Sequence, residues 1–242
     1  ENGEVVVISA DGIKSFKPFP KKPERPCIFE YIYFARPDSI VGGKSIYECR
    51  KGFGRELANE SNVEADMVIP IPDSGVPSAI GYAEQAGIPF ELGITRNHYV
   101  GRTFIQPKQS IRSFGVRLKH NANRTLVAGK RIVLIDDSIV RGTTSVKIVQ
   151  MMREAGAKEI HFRVSSPPIT HSDFYGIDTP SKDQLLASTK SVAEMCEYLG
   201  ADSLAFLSIE GIYQALGHKD GRNADCPQYT DHCFTGEYPT LL

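Results

Sequence analysis

Arg131-Ile132-Val133-Leu134-Ile135-Asp136-Asp137-Ser138-Ile139-Val140-Arg141-Gly142-Thr143-Thr144-Ser145 holds the pattern from which the rest of the chain is read. Apolar residues in succession, with no polar alternation, are what a strand needs when both faces of its sheet are covered, as in a parallel sheet. The run ends in two adjacent carboxylates, which an apolar core does not accept unless something offsets their charge. Such a pair suits a divalent cation or vicinal hydroxyls. Behind it, small hydroxyl residues around Gly142 lead into a predicted helix over 144–155, with Val146, Val149 and Met152 on one stripe. Free N–H groups and the dipole at a helix N-terminus favour a phosphate. Strand, acid pair, hydroxyl loop and helix together point to a phosphorylated sugar.

The alternation continues on both sides. Periodicity and turn residues predict a strand over 4–8, a helix over 45–60, a short strand over 67–72, a helix over 77–86 and a strand over 90–94. Downstream they predict a strand over 161–164, a helix opened by the capping pattern Ser191-x-x-Glu194 and closed at Gly200, and a strand over 204–207. Strand, helix, strand in repetition means βαβ units, so the expected fold is α/β with a mostly parallel sheet. Residues 16–26 carry four prolines and four lysines or arginines and read as a linker. The chain begins at Glu1, and its first strand is separated from the rest by that linker. Residues 1–22 are therefore expected to be the tail of a preceding domain, with 23–242 forming the main unit.

Composition narrows the partners. The 242 residues carry 28 Lys+Arg against 29 Asp+Glu, a formal net charge of −1, so no general nucleic-acid or membrane-surface binding is expected. No apolar run approaches the roughly 18 residues of a membrane span. The five cysteines, Cys27, Cys49, Cys196, Cys226 and Cys233, contain no C-x-x-C pair, which argues against a disulfide framework or zinc ribbon and suits a cytoplasmic protein. Locally the charge is far from balanced. From Leu92 to Ile135 there is no acid, while nine lysines and arginines occur, among them Arg96 and Arg102. Its centre, Asn97-His98-Tyr99-Val100-Gly101-Arg102-Thr103-Phe104, has the mixed polarity of a lid over a polyanion. A second turn, Pro70-Ile71-Pro72-Asp73-Ser74-Gly75-Val76-Pro77, also runs from a strand end into a helix and is placed to hold another anion. Gly43-Lys44-Ser45 imitates the end of a Walker A loop, but Asp38 stands where that loop needs glycine. His161, inside a predicted strand, reads as structural.

Val133 to Ser145 resembles the thirteen-residue 5-phosphoribosyl-1-pyrophosphate (PRPP) signature of the type I phosphoribosyltransferases. Glu30–Asp38, Ile71–Gly75, Tyr99–Ile105, Tyr175–Asp178 and Cys233–Gly236 resemble the amidophosphoribosyltransferases within that group. The resemblance implies a type I phosphoribosyltransferase fold with a small hood. It also implies transfer of ammonia to C1 of PRPP in purine synthesis, with glutamine serving a glutaminase domain of which residues 1–22 would be the last strand and connection. It assigns Asp136 and Asp137 to the ribose hydroxyls and, with Ser74, to Mg2+. It assigns Ser138, Ile139, Val140, Arg141, Gly142, Thr143, Thr144 and Ser145 to the 5-phosphate, and Asp73, Ser74 and Gly75 to pyrophosphate. Arg96 falls in the lid, where Tyr99, Arg102 and Phe104 would line an ammonia passage. AMP or GMP feedback and a homo-oligomer are implied too, with Arg96 and His98 replacing the Lys and Arg frequent near the inhibitory nucleotide. One branch of the family holds a 4Fe-4S cluster on four cysteines. Cys27 and Cys233 match two of those positions, but Asp173 and Thr230 occupy the others. No cluster is expected, since Cys226 and Asp173 would have to complete the ligand set. Other readings of the same residues are a non-catalytic PRPP or nucleotide sensor and a salvage base phosphoribosyltransferase.

Overall fold

The computed structural model describes residues 1–97 and 120–240. Its centre is a four-stranded parallel sheet, ordered β10 (Ser203–Phe206), β9 (Glu159–Val164), β8 (Arg131–Asp136), β5 (Met67–Pro70). The earlier strands are an antiparallel hairpin, β1 (Val5–Ser9) with β2 (Gly12–Phe16), and a two-residue pair, β3 (Ile40–Val41) with β4 (Lys44–Ser45). A small ribbon pairs β6 (Ile94–Arg96) with β7 (His120–Ala122). Along β8 successive side chains go to opposite faces. Val133 and Ile135 join one core with Phe53, Tyr82 and Tyr213, while Ile132 and Leu134 join another with Ile148, Met152 and Phe162. This double covering is why β8 is apolar throughout.

Helices α1 (Ile46–Ser61) and α2 (Val76–Ala86) cover the first face, and α3 (Thr143–Glu154) and α4 (Val192–Leu199) the second. Ser45 caps α1, its hydroxyl accepting the Glu48 N–H at 3.4 Å. The Walker-like tripeptide is thus a helix start, and its Lys44 Nζ donates to the Leu216 carbonyl at 2.7 Å. Ser191 and Glu194 form the expected capping box, and Gly200 closes the helix at φ 73°. Helices α1 and α2 pack through reciprocal glycines. A Cβ on Gly54 would overlap the Ser78 carbonyl, and one on Gly81 the Lys51 carbonyl.

Three sequence expectations shift. The strand expected at 90–94 lies later: Phe90 makes one parallel bridge to Val68, and the strand proper is Ile94–Arg96, because its antiparallel partner comes from residues 120–122. Residues 12–16, partly assigned to the linker, are a second strand folded back on the first across the Asp11-Gly12 turn. Short helices at Ile209–Ala215 and His232–Thr235 were not anticipated, being too brief to show a period. His161 is structural as expected, with Nδ1 2.9 Å from the Ser203 hydroxyl and burial lowering its pKa. Among the described residues no helix is long and apolar enough to cross a membrane.

Candidate functional site

The acid pair sits where the apolar strand ends. Asp136 closes β8 and Asp137 follows it, and both are buried, at 8% and 5% exposure. The Asp137 N–H donates to Asp136 Oδ1 at 3.0 Å, and the Ser138 hydroxyl donates to Asp137 Oδ2 at 2.7 Å. Burial, then the charge of Asp137, push the Asp136 carboxyl well above the usual carboxylate range. The Arg50 guanidinium, 3% exposed on α1, feels the Asp137 charge while donating to the carbonyls of Tyr31 and Ala35. Nothing in the sequence pattern singled out Arg50.

The loop after the acids is built to offer N–H groups. None of those of residues 138–145 donates to another atom of the described chain. Gly142 caps α3 in the left-handed conformation, φ 73°, and a Cβ there would lie 2.6 Å from Leu186 Cδ2. Residues 184–186 brace the loop. Leu186 N–H donates to the Val140 carbonyl at 2.9 Å, and Arg141 Nε and Nη2 to Gln184 Oε1 at 3.2 Å. The Ile139 side chain points into the core, and Ser145 is buried, so for Ile139 only the backbone is available to a ligand.

The second turn lies against this loop. The Ile71 N–H donates to the Ile135 carbonyl at 2.8 Å, and a Cβ on Gly75 would overlap that same oxygen. Asp73, Ser74 and Gly75 are thereby brought beside the start of the acid pair. Arg96 is ion-paired with the Asp73 carboxylate, so the structure places it at the turn. Tyr99, Arg102 and Phe104, with His98, lie outside the described residues.

For a divalent cation the donor chemistry fits. Two adjacent buried carboxyls, one of them pushed up by burial and then by the other's charge, are relieved by a cation. Among the described residues no cluster of three His, Cys, Asp or Glu could hold a metal unaided. The acid pair would therefore share the ion with ligand oxygens, the usual arrangement for Mg2+. The iron–sulfur positions do not fit a cluster. Cys27, Asp173 and Thr230 line a cavity of about 440 Å3, but Asp173 accepts from His232 Nε2 at 2.8 Å and from the N–H groups of Tyr175 and Ile177. The Thr230 hydroxyl donates to the Arg25 carbonyl at 2.8 Å. That leaves Cys27 and Cys233 as the two thiols at the four cluster positions, where a 4Fe-4S cluster takes four. Cys226 is exposed and does not line that cavity.

Comparison with known proteins agrees with this geometry. The chain is 62% identical to an amidophosphoribosyltransferase of Rhizobium etli and 52% identical to that of Bacillus subtilis, in each case over all of this chain and 50% of the relative. A solved structure of the B. subtilis glutamine PRPP amidotransferase, complexed with ADP and GMP, superposes with a TM-score of 0.85 at 52% identity, covering 99% of this chain and 52% of that one. The chain thus spans about half the length of the curated relatives it matches. The phosphoribosyl transferase domain profile matches residues 45–167, just over half of the chain and the part that holds both turns and the acid pair, and the chain belongs to that family.

Proposed function

We propose that this chain transfers ammonia to C1 of PRPP, giving 5-phosphoribosylamine and pyrophosphate with inversion at C1, as a step of purine synthesis. The ammonia would come from glutamine through a glutaminase domain joined at residues 1–22. The reading rests on one observation: the contact of Gly75 with the end of β8 sets the 73–75 turn beside a buried acid pair and a loop, residues 138–145, whose N–H groups donate to no other atom of the described chain. These are three parts of one ligand: pyrophosphate, ribose hydroxyls and 5-phosphate. In this reading the 138–145 backbone binds the 5-phosphate, Asp136 and Asp137 orient the ribose, and Asp73 and Ser74 meet the pyrophosphate. Departure of pyrophosphate leaves positive character on the ring and negative charge on the leaving group, so catalysis is mainly positioning and charge stabilisation. Mg2+, when bound, would neutralise charge on the departing oxygens. Ammonia is already a nucleophile and needs no strong base.

Tyr99, Arg102 and Phe104 are assigned to the ammonia passage on the family resemblance, with exclusion of water as the chemical need. AMP and GMP as inhibitors, a homo-oligomer and a cytoplasmic location belong to the same proposal. The test is PRPP, Mg2+ and ammonium supplied together. Release of pyrophosphate with formation of phosphoribosylamine is expected. Binding without release would favour the sensor, and turnover only with adenine, hypoxanthine or orotate would favour a salvage enzyme.

A further inference from the structure

Arg96 and His120 face each other across the β6–β7 ribbon. Both reach the same turn. Arg96 is ion-paired with Asp73, and His120 Nε2 lies 3.4 Å from the Pro72 carbonyl oxygen. A carbonyl only accepts, so the ring donates. The two attachments differ in kind. The first joins partly exposed side chains, which water screens. The second comes from a residue only 5% exposed and ends on the main chain, so it bears on the path of the backbone itself. On its other side the turn is held by Gly75 against Ile135 and by the Ile71 N–H. The turn is therefore pinned to β8 at one end and to β7 at the other.

We propose that His120 is a positioning residue for the 72–75 turn, holding Asp73 and Ser74 where an oxygen of the leaving pyrophosphate meets them. It would not touch the ligand. This inference rests on the function proposed above and names a residue that neither the signature stretch nor the acid pair includes. Its consequence is specific: loss of the bond should weaken capture of the diphosphate end while leaving the acid pair and the 138–145 loop in place.

The experiment compares His120→Gln, His120→Asn and His120→Leu in the natural full-length polypeptide, reading ammonia-dependent pyrophosphate release, binding of inorganic pyrophosphate with Mg2+, and thermal unfolding. His120→Gln can present its amide N–H near the Nε2 position, whereas Asn falls short of it. His120→Leu and His120→Asn are expected to raise KM for PRPP and weaken pyrophosphate binding by about tenfold, the size of one lost buried hydrogen bond, with kcat changed less than about threefold. His120→Gln should restore most of that loss. The inference is overturned if His120→Leu leaves KM and pyrophosphate binding unchanged, or if all three variants lose stability and kcat together without rescue by Gln. If the unaltered protein neither releases nor binds pyrophosphate, the proposed function itself fails and the inference with it.

Discussion

Gly75 packs so closely on Ile135 that a single added methyl group would overlap the Ile135 carbonyl oxygen, which already accepts the Ile71 N–H at 2.8 Å. Ile135 is the residue before Asp136. The 73–75 turn and the loop after the acid pair are thus joined through one peptide group at the end of β8, and neither can shift without the other.

Gly75→Ala should separate them. Because the obstructing atom is backbone, it cannot swing aside as a side chain would, and overpacking of this kind costs about 1–3 kcal/mol. The variant is expected to unfold at lower urea concentration and to show a KM for PRPP raised by about tenfold or more. Equilibrium unfolding with steady-state kinetics checks both, and unchanged kinetics would separate the turn from the site.

The acid pair has a pH signature. Burial and the Asp137 charge raise the Asp136 carboxyl above its ordinary value of 3.8, so the folded chain keeps a proton that the unfolded chain has already released. That contribution to stability is complete below the ordinary value and is lost as pH rises through the folded-state value. Asp136→Asn, which cannot ionise, should therefore flatten the fall in stability of the ligand-free protein as pH rises from about 4. The double variant Asp136→Asn with Asp137→Asn should stay folded and lose turnover by about 100-fold or more. Urea titrations across pH and a pyrophosphate-release assay read the two effects.

Gly142→Ala tests the phosphate loop from behind. The positive φ of 73° disfavours any side chain, and the new Cβ would meet Leu186 Cδ2 at 2.6 Å and Tyr198 Cε1 at 3.3 Å. A loss of about 1–3 kcal/mol is expected, together with weaker PRPP binding. Adding Leu186→Ala removes one of the two obstructions, so the double variant should recover part of the stability lost at Gly142 rather than sum the two losses.

Much of this site is written locally. The bare apolar run of β8, the acids that end it, the hydroxyl loop and the helix behind it are consecutive residues, and each shows its chemistry without a partner. Ser191 and Glu194 are legible for the same reason, since a capping box closes within four residues. The strand expected at 90–94 moved to Ile94–Arg96 because its ladder is completed by residues 120–122, on the far side of the basic stretch. The apolar residues before it, Ile88 and Phe90, serve the edge of the main sheet and the adjoining core instead.

Sequence alone determined a doubly covered parallel sheet, a helix start behind a glycine-and-hydroxyl loop and an acid pair at the strand's carboxyl end, because these follow from short-range pattern and the solvation of buried charge. Tertiary structure decided which distant residues come together around that strand end: Gly75 on Ile135, Arg96 on Asp73 and His120 on Pro72. It also decided why particular glycines are required, as at Gly54 and Gly81 between α1 and α2. The physical reason is common to all of these. A missing Cβ, a buried donor or one half of an ion pair carries no mark along the chain, and its role exists only once packing brings another element's backbone or side chain to within van der Waals or hydrogen-bonding distance.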